Sequence, residues 1–138
     1  MGLAWREQLS VGNDVIDDDH KHLIEIINQV ENNLLSKNRR ALNVALDELT
    51  RYSETHFVSE EKIATAVGYS HVARIHDSHA MLLTRLSEVR QEIGEEWTEE
   101  SVGHFTTLLR DWLIKHVIKE DLLMKPFLTK FSPRFDPR

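Results

Sequence analysis

The longest helical pattern in this chain reads RRALNVALDELTRYSETHFVSEEKIATAV, at residues 39–67. Apolar side chains recur three and four positions apart, which is the period of an α-helix that buries one face. Gly68 follows, in the position that glycine commonly takes just after a helix. The aligned positions of this stripe are Leu42, Ala45, Leu46, Leu49, Tyr52, Ser53, His56, Glu60 and Ile63. The segment therefore predicts a long amphipathic helix with polar residues on its apolar face.

Three further segments show the same helical period, at about residues 18–35, 70–93 and 98–126. No segment alternates polar and apolar residues as a half-buried strand does. Short connections between four amphipathic helices favour an all-α fold, an antiparallel up-down-up-down four-helix bundle. We expect a single domain over residues 1–138, with an ordered N-terminal arm at 1–16, the bundle at 17–128 and a tail at 129–138.

The composition narrows the class of function. The chain has 138 residues, of which 41% are hydrophobic and 29% are charged, and its net charge is −6. This acidic balance, without a run of Lys and Arg, predicts no nucleic-acid partner and no membrane partner. No apolar stretch approaches the ~20 residues that span a bilayer, and the N-terminus turns charged too early for a secretory signal. We therefore expect a cytoplasmic protein. The absence of cysteine excludes disulfides, iron–sulfur clusters and thiolate zinc sites.

Polar residues interrupt the apolar stripe of every predicted helix. They are His20, His56, Glu60, His79 and His116, in a chain that has eight histidines. A single histidine in such a place is more often a hydrogen-bonded core residue than a ligand. Burying one from each of four helices is costly without mutual compensation, and a shared metal site provides that compensation. The pattern predicts a metal site in the core of the bundle.

The residue types favour a pair of iron ions. His56 and Glu60 are four residues apart, so their side chains share one helix face about one turn apart. Imidazole suits several transition metals, whereas carboxylate oxygens favour iron or manganese. The spacing does not decide whether the second carboxylate ligand is Glu120 or Asp121. Helical spacing from His116 slightly prefers Glu120, because five residues place Asp121 about 140° around the axis. A distorted helix end would still let Asp121 reach the site, and both acids are also compatible with a solvated surface pair.

With these residues, the sequence resembles the hemerythrin family, and within it the single-domain bacterial members. The resemblance covers about residues 5–128. An early tryptophan, Trp5, and the Gly68-Tyr69 turn also match. The main matching stretches are Asp17-Asp18-Asp19-His20, His56-Phe57-Val58-Ser59-Glu60-Glu61, and Trp112-Leu113-Ile114-Lys115-His116 followed by Asp121.

The resemblance implies a non-haem protein with two iron ions (Fe2+/Fe3+) bridged by carboxylates, at which O2 binds reversibly. Carriage, storage or sensing of O2 are the implied roles, with nitric oxide as a further candidate ligand. The protein is thus expected to bind a ligand rather than to act as an enzyme. The matching positions are His20 and His56 for the iron that takes O2, His79 and His116 for the other iron, and Glu60 and Asp121 for the bridges.

The third helix departs from the family's His-x-x-x-His pattern. The first histidine of that pattern falls on Ile75, and a histidine occurs one place later, at His76. Either a local π-bulge turns His76 toward the metal, or His76 points aside and the second iron lacks one imidazole. An open position at Ile75 suits a peroxidase-like or oxidase-like enzyme, which is the alternative function, and iron storage is another. Leu23, Ile75 and Leu113 are predicted to line the site as a dry pocket.

Overall fold

Four long helices make up most of the molecule. The computed structural model describes residues 3–94 and 97–137, apart from the side chain of His116. No strand occurs within these ranges, and no described helix is both long and apolar enough to cross a membrane. The helices confirm the predicted all-α four-helix bundle. They are α1 at Asp14–Leu35, α2 at Arg39–Ala66, α3 at Val72–Glu92 and α4 at Glu99–Asp111.

The chain after α4 stays helical but changes its period several times. A π-helix follows at once, at Trp112–Ile118. Next come α5 at Lys119–Asp121, a 3-10 turn at Leu122–Met124 and α6 at Lys125–Leu128. The sequence pattern predicted a regular helix as far as Pro126, whereas the regular period ends at Asp111.

Contacts between rings show that α1 and α2 run antiparallel. The ring centroids of His20 and His56 are 5.0 Å apart, and those of His22 and Tyr52 are 4.3 Å apart. A step forward along α1 is therefore a step backward along α2. The connection between the two helices is only residues 36–38, which leaves room for no other arrangement. The start of α1 consequently lies beside the end of α2.

The first turn of α1 is fixed by Asn13. Its side chain accepts a hydrogen bond from the backbone N–H of Ile16 at 3.1 Å, so α1 begins at Asp14 rather than near residue 18. The side-chain amide of Asn13 donates to the backbone carbonyl of Phe135 at 3.0 Å, and the N–H of Asp14 donates to that of Pro133 at 2.7 Å. The C-terminal residues are thus joined to the start of the helix that carries His20.

Two apolar clusters fill the bundle, and a layer of polar side chains lies between them. The larger cluster contains Leu23 on α1 and Leu113 in the π-helix. The smaller contains Ile16 on α1 and Ile75 on α3. We call the buried side chains between the two clusters the polar layer. Its members are His20, His56, Glu60, His79 and Asp121.

Candidate metal centre

Four side chains of the polar layer converge on one point. His20, His56, Glu60 and Asp121 each offer one ligand atom, and these atoms all lie within 4.8 Å of one another. Each residue is between 0% and 1% exposed. The four come from α1, α2 and α5, so the antiparallel packing of the helix ends brings them together. Two imidazoles and two carboxylates within this distance make a donor set that suits iron.

The contacts within this cluster are close but incompletely paired. His20 Nε2 hydrogen-bonds to Asp121 Oδ2 at 2.7 Å. His56 Nε2 lies 2.9 Å from Glu60 Oε2, yet neither atom has a hydrogen-bond partner among the described residues. Buried polar atoms are rarely left without a partner. Two such atoms side by side can therefore both act as ligands to one shared cation. The residues fit a metal ion.

The π-helix explains which of the two neighbouring acids joins the cluster. Hydrogen bonds in a π-helix connect residues five apart, so its turns are wider than α-helical turns and later residues rotate around the axis. Asp121 is consequently directed inward and is buried with His20 and His56. Glu120 instead accepts a hydrogen bond from the hydroxyl of Ser78 at 2.5 Å and lies away from the cluster. Regular helical spacing had slightly preferred Glu120.

His79 lies at the edge of the cluster. Its Nε2 is 3.3 Å from Glu60 Oε1, and its Nδ1 is 3.1 Å from Glu61 Oε2. Its ring stacks on that of Phe57, with centroids 4.1 Å apart and planes inclined by 11°. A buried aromatic face and two carboxylates thus determine the orientation of this imidazole. Its Nε2 is directed at the oxygen atoms of the polar layer.

The remaining predicted ligand in the fourth helix is His116. Its backbone lies within the π-helix, five residues before Asp121. Its side chain falls outside the described part of the chain.

The structure does not bring His76 to the cluster. The side chain of His76 is 71% exposed, and its Nδ1 lies 2.5 Å from Glu61 Oε1. The helix α3 is a regular α-helix, so successive residues are about 100° apart and His76 cannot share the face of its neighbour. Ile75 occupies the inward position, is 1% exposed and belongs to the smaller apolar cluster. A π-helix occurs in the chain after α4 and not in α3, so His76 follows the alternative in which its side chain points aside.

The three predicted lining residues are all buried. Leu23 and Leu113 belong to the larger apolar cluster, and Ile75 belongs to the smaller one. The polar layer therefore has apolar side chains on both sides along the bundle axis. This placement keeps bulk water away from the four converging donors.

Burial and mutual contacts set the charge of the polar layer. Burial and the nearby Asp121 carboxylate raise the pKa of Glu60. Burial alone raises the pKa of Asp121, but hydrogen bonds with Glu60, His20 and His56 outweigh it and hold that pKa well below its ordinary value. Burial lowers the pKa of His56, but interactions with Asp121, Asp19 and Glu60 reverse this and raise it well above the usual range. Metal ligation at these atoms therefore requires the release of protons.

Sequence analysis missed two supporting carboxylates. Asp19 accepts a hydrogen bond from His56 Nδ1 at 3.0 Å and another from the hydroxyl of Tyr52 at 2.7 Å. Glu61 contacts the Nδ1 atom of His79. Both acids adjoin a predicted ligand in the sequence and lie within the stretches that match the family, but neither was assigned a role. Their roles depend on contacts between helices, which helical spacing does not reveal.

Comparisons with known proteins show the family to which this chain belongs. The hemerythrin HHE cation binding domain family matches residues 11–128. The chain is similar to the bacteriohemerythrin of Pseudomonas aeruginosa strain PAO1, with 34% identity over 122 residues, 86% of this chain and 76% of that one. It is 31% identical to the bacteriohemerythrin of Stenotrophomonas maltophilia over 121 residues, again 86% of this chain and 76% of the relative. A solved structure of wild-type hemerythrin superposes with a TM-score of 0.77 and 27% identity, covering 92% of this chain and 98% of that one.

Proposed function

Because the chain belongs to the hemerythrin family, and is thus a non-haem di-iron protein that binds oxygen, we propose that the polar layer holds the iron pair and that the protein carries oxygen reversibly. The two ions would be held by residues from α1, α2, α3 and the helical segment that follows α4. When bound, they supply the electrons and the site for oxygen. The proposed ligands are His20 and His56 for one iron, His79 and His116 for the other, and Glu60 and Asp121 as bridges.

The observation that carries this proposal is the close contact between His56 Nε2 and Glu60 Oε2, two buried atoms that make no hydrogen bond. Leaving a buried polar atom without a hydrogen bond costs ~1–3 kcal/mol, and more when the group is charged. A cation between the two atoms would remove that cost at both. The other two members of the cluster, His20 and Asp121, each offer a ligand atom within 4.8 Å of those of His56 and Glu60.

The apolar surroundings support a small uncharged ligand. Leu23 and Leu113 are fully buried on one side of the polar layer, and Ile75 is buried on the other. A charged or strongly hydrated molecule would lose its water on reaching such a site, whereas a diatomic gas would not. This favours O2, and nitric oxide by the same argument. It also protects bound iron from water, which reversible carriage requires.

Anaerobic loading with ferrous iron tests the proposal. We expect two irons per chain in a colorimetric assay, and an absorption band that appears under O2 and disappears when O2 is removed. Irreversible oxidation in the first cycle would contradict carriage. One iron or none per chain would contradict an iron pair, and substantially more than two would favour storage.

One observation favours a second candidate, a peroxidase-like or oxidase-like enzyme. Ile75 is buried among apolar side chains and His76 is exposed, so neither offers an imidazole to the second iron. An incompletely filled metal is a common property of catalytic sites. On this candidate, Ile75→His is expected to lower the turnover of hydrogen peroxide and lengthen the lifetime of the oxygenated protein. The reason is that the added imidazole fills the open position.

The matched control is Ile75→Leu, which keeps the position apolar and similar in volume. It is expected to leave both the turnover and the lifetime at wild-type values. Equal turnover in wild type and Ile75→His would eliminate the enzymatic candidate and leave carriage.

A further inference from the structure

A line of polar contacts leads from the surface of α3 to the polar layer. The exposed fraction of the side chains falls along it, from 71% at His76 to 22% at Glu61 and 5% at His79. His76 Nδ1 is 2.5 Å from Glu61 Oε1, and Glu61 Oε2 is 3.1 Å from His79 Nδ1. His79 Nε2 is then 3.3 Å from Glu60 Oε1. An exposed residue is thus connected to the buried cluster through three contacts.

Glu61 uses its two oxygens on two different histidines. Oε1 contacts His76 and Oε2 contacts His79, so rotation of the carboxylate would break one contact or the other. Both histidines are on α3, three residues apart, while Glu61 is on α2. A carboxylate with a single partner could swing, but one held at both oxygens is fixed. Glu61 therefore connects α2 to α3 at the level of the polar layer.

Contact with Glu61 stabilises the form of the His79 ring that a metal at Nε2 requires. When Nδ1 carries the proton and donates it to Glu61, the lone pair of the neutral ring is on Nε2, the atom directed toward Glu60. Stacking on Phe57 fixes the plane of the ring, and the contact with Glu61 fixes its rotation within that plane. Partners of this kind raise the affinity of a histidine for a metal.

We propose that His76 and Glu61 form a brace that orients His79 for the second iron, which makes both of them positioning residues. The inference rests on the proposed function, since it takes His79 to be a ligand. An exposed histidine–glutamate pair is usually worth little on its own. Here the pair matters because the second oxygen of the same carboxylate contacts a buried imidazole. His76 lies outside the cluster because α3 is regular, but through Glu61 it still affects the orientation of His79.

The test is the rate at which an excess of a ferrous chelator removes iron from the fully loaded protein without oxygen. Glu61→Ala is expected to speed the release of one iron of the pair by about 10- to 100-fold. His76→Ala is expected to speed the same phase less, because Glu61 can still contact His79. The variant with both substitutions is expected to match Glu61→Ala alone, since His76 acts only through Glu61.

Two controls separate bracing from a general loss of stability. His76→Asn keeps a side-chain N–H near the position of Nδ1 and is expected to restore the wild-type rate. His104→Ala removes another exposed histidine, beside Phe105 on α4, and is expected to change nothing. Wild-type release by His76→Ala, or additive effects in the double variant, would overturn the brace. Equal slowing of iron uptake and iron release in His76→Ala would also overturn the brace. That result would mean that His76 lies on the route by which iron enters and leaves.

A measurement on the iron-free protein tests the brace separately from the proposed function. At a pH where the His79 ring is neutral, 15N shifts of the imidazole report which nitrogen carries the proton. We expect the proton on Nδ1 in the wild type and in His76→Asn, and a shift of the proton toward Nε2, which still faces Glu60, in Glu61→Ala. A mixture in the wild type would overturn the brace whatever the iron content. If the wild type shows Nδ1–H but binds no iron pair, the proposed function fails and the contact stands.

Discussion

Replacing Asp121 by asparagine is expected to abolish the iron pair, whereas replacing its neighbour Glu120 by glutamine is expected to preserve it. Asp121 is buried and lies within 4.8 Å of both histidine ligand atoms and of Glu60. Asparagine has nearly the same shape but is neutral, and one of its two terminal atoms is a nitrogen that donates and cannot bridge. Iron content should fall from two per chain to one or fewer.

Glu120→Gln is the matched control because it removes the same charge one residue away. Glu120 contacts Ser78 rather than the cluster, and glutamine can still accept that hydrogen bond. Both variants should keep the wild-type far-ultraviolet circular dichroism, which checks the fold. Loss of the pair in Glu120→Gln, with retention in Asp121→Asn, would show that the π-helix at Trp112–Ile118 does not set the ligand register.

Iron is also expected to raise the thermal stability of the wild type strongly. A ligand that binds only the folded state stabilises it by about 4 kcal/mol when present at roughly 1,000 times its dissociation constant. For a domain of this size, each kcal/mol moves the midpoint by about 3–5 °C. Ferrous iron without oxygen should therefore raise Tm by about 10–20 °C. The physical cause is that the metal gives a partner to two buried atoms that make no hydrogen bond, His56 Nε2 and Glu60 Oε2.

Differential scanning calorimetry of the iron-free and iron-loaded protein measures this shift. The Asp121→Asn variant is the internal control, since loss of one of the two proposed bridging carboxylates should remove most of the effect of iron. Magnesium at the same concentration controls for a general effect of divalent cations, because it prefers oxygen ligands to imidazole. An iron-loaded wild type that melts at the iron-free temperature would argue against the polar layer as the binding site.

Much of the candidate site could be predicted because its residues obey helical spacing. His20, His56, Glu60 and His79 each fall on an apolar stripe, and the structure places all four in the polar layer. Their local sequence carries the signal, since a polar side chain among apolar neighbours on one helix face is visible without tertiary information. The fold followed from the same four stripes and their short connections.

Other features could not be predicted because they depend on departures from that spacing. Asp121 rather than Glu120 lies in the polar layer because the π-helix widens the turns before it. No residue type or pattern in residues 112–118 predicts a π-helix. The role of His76 could not be decided because spacing alone does not say whether a helix is distorted. The structure shows that α3 is regular. Glu61 and Asp19 resemble ordinary surface acids in sequence, and only the packing of neighbouring helices gives them partners.

The position of the polar layer has a consequence for cooperativity. Apolar contacts join the helices above it and below it, but within it the helices meet through charged groups. The smaller cluster contains Val11 before α1 and Leu128 at the end of α6, so it includes the segments that precede and follow the four long helices. Leu122 packs against both apolar clusters, and the polar layer supplies the other contacts between them. An iron pair held at the polar layer by α1, α2, α3 and the segment after α4, as proposed, would couple the unfolding of the two clusters, so the ion site would also make the fold more cooperative.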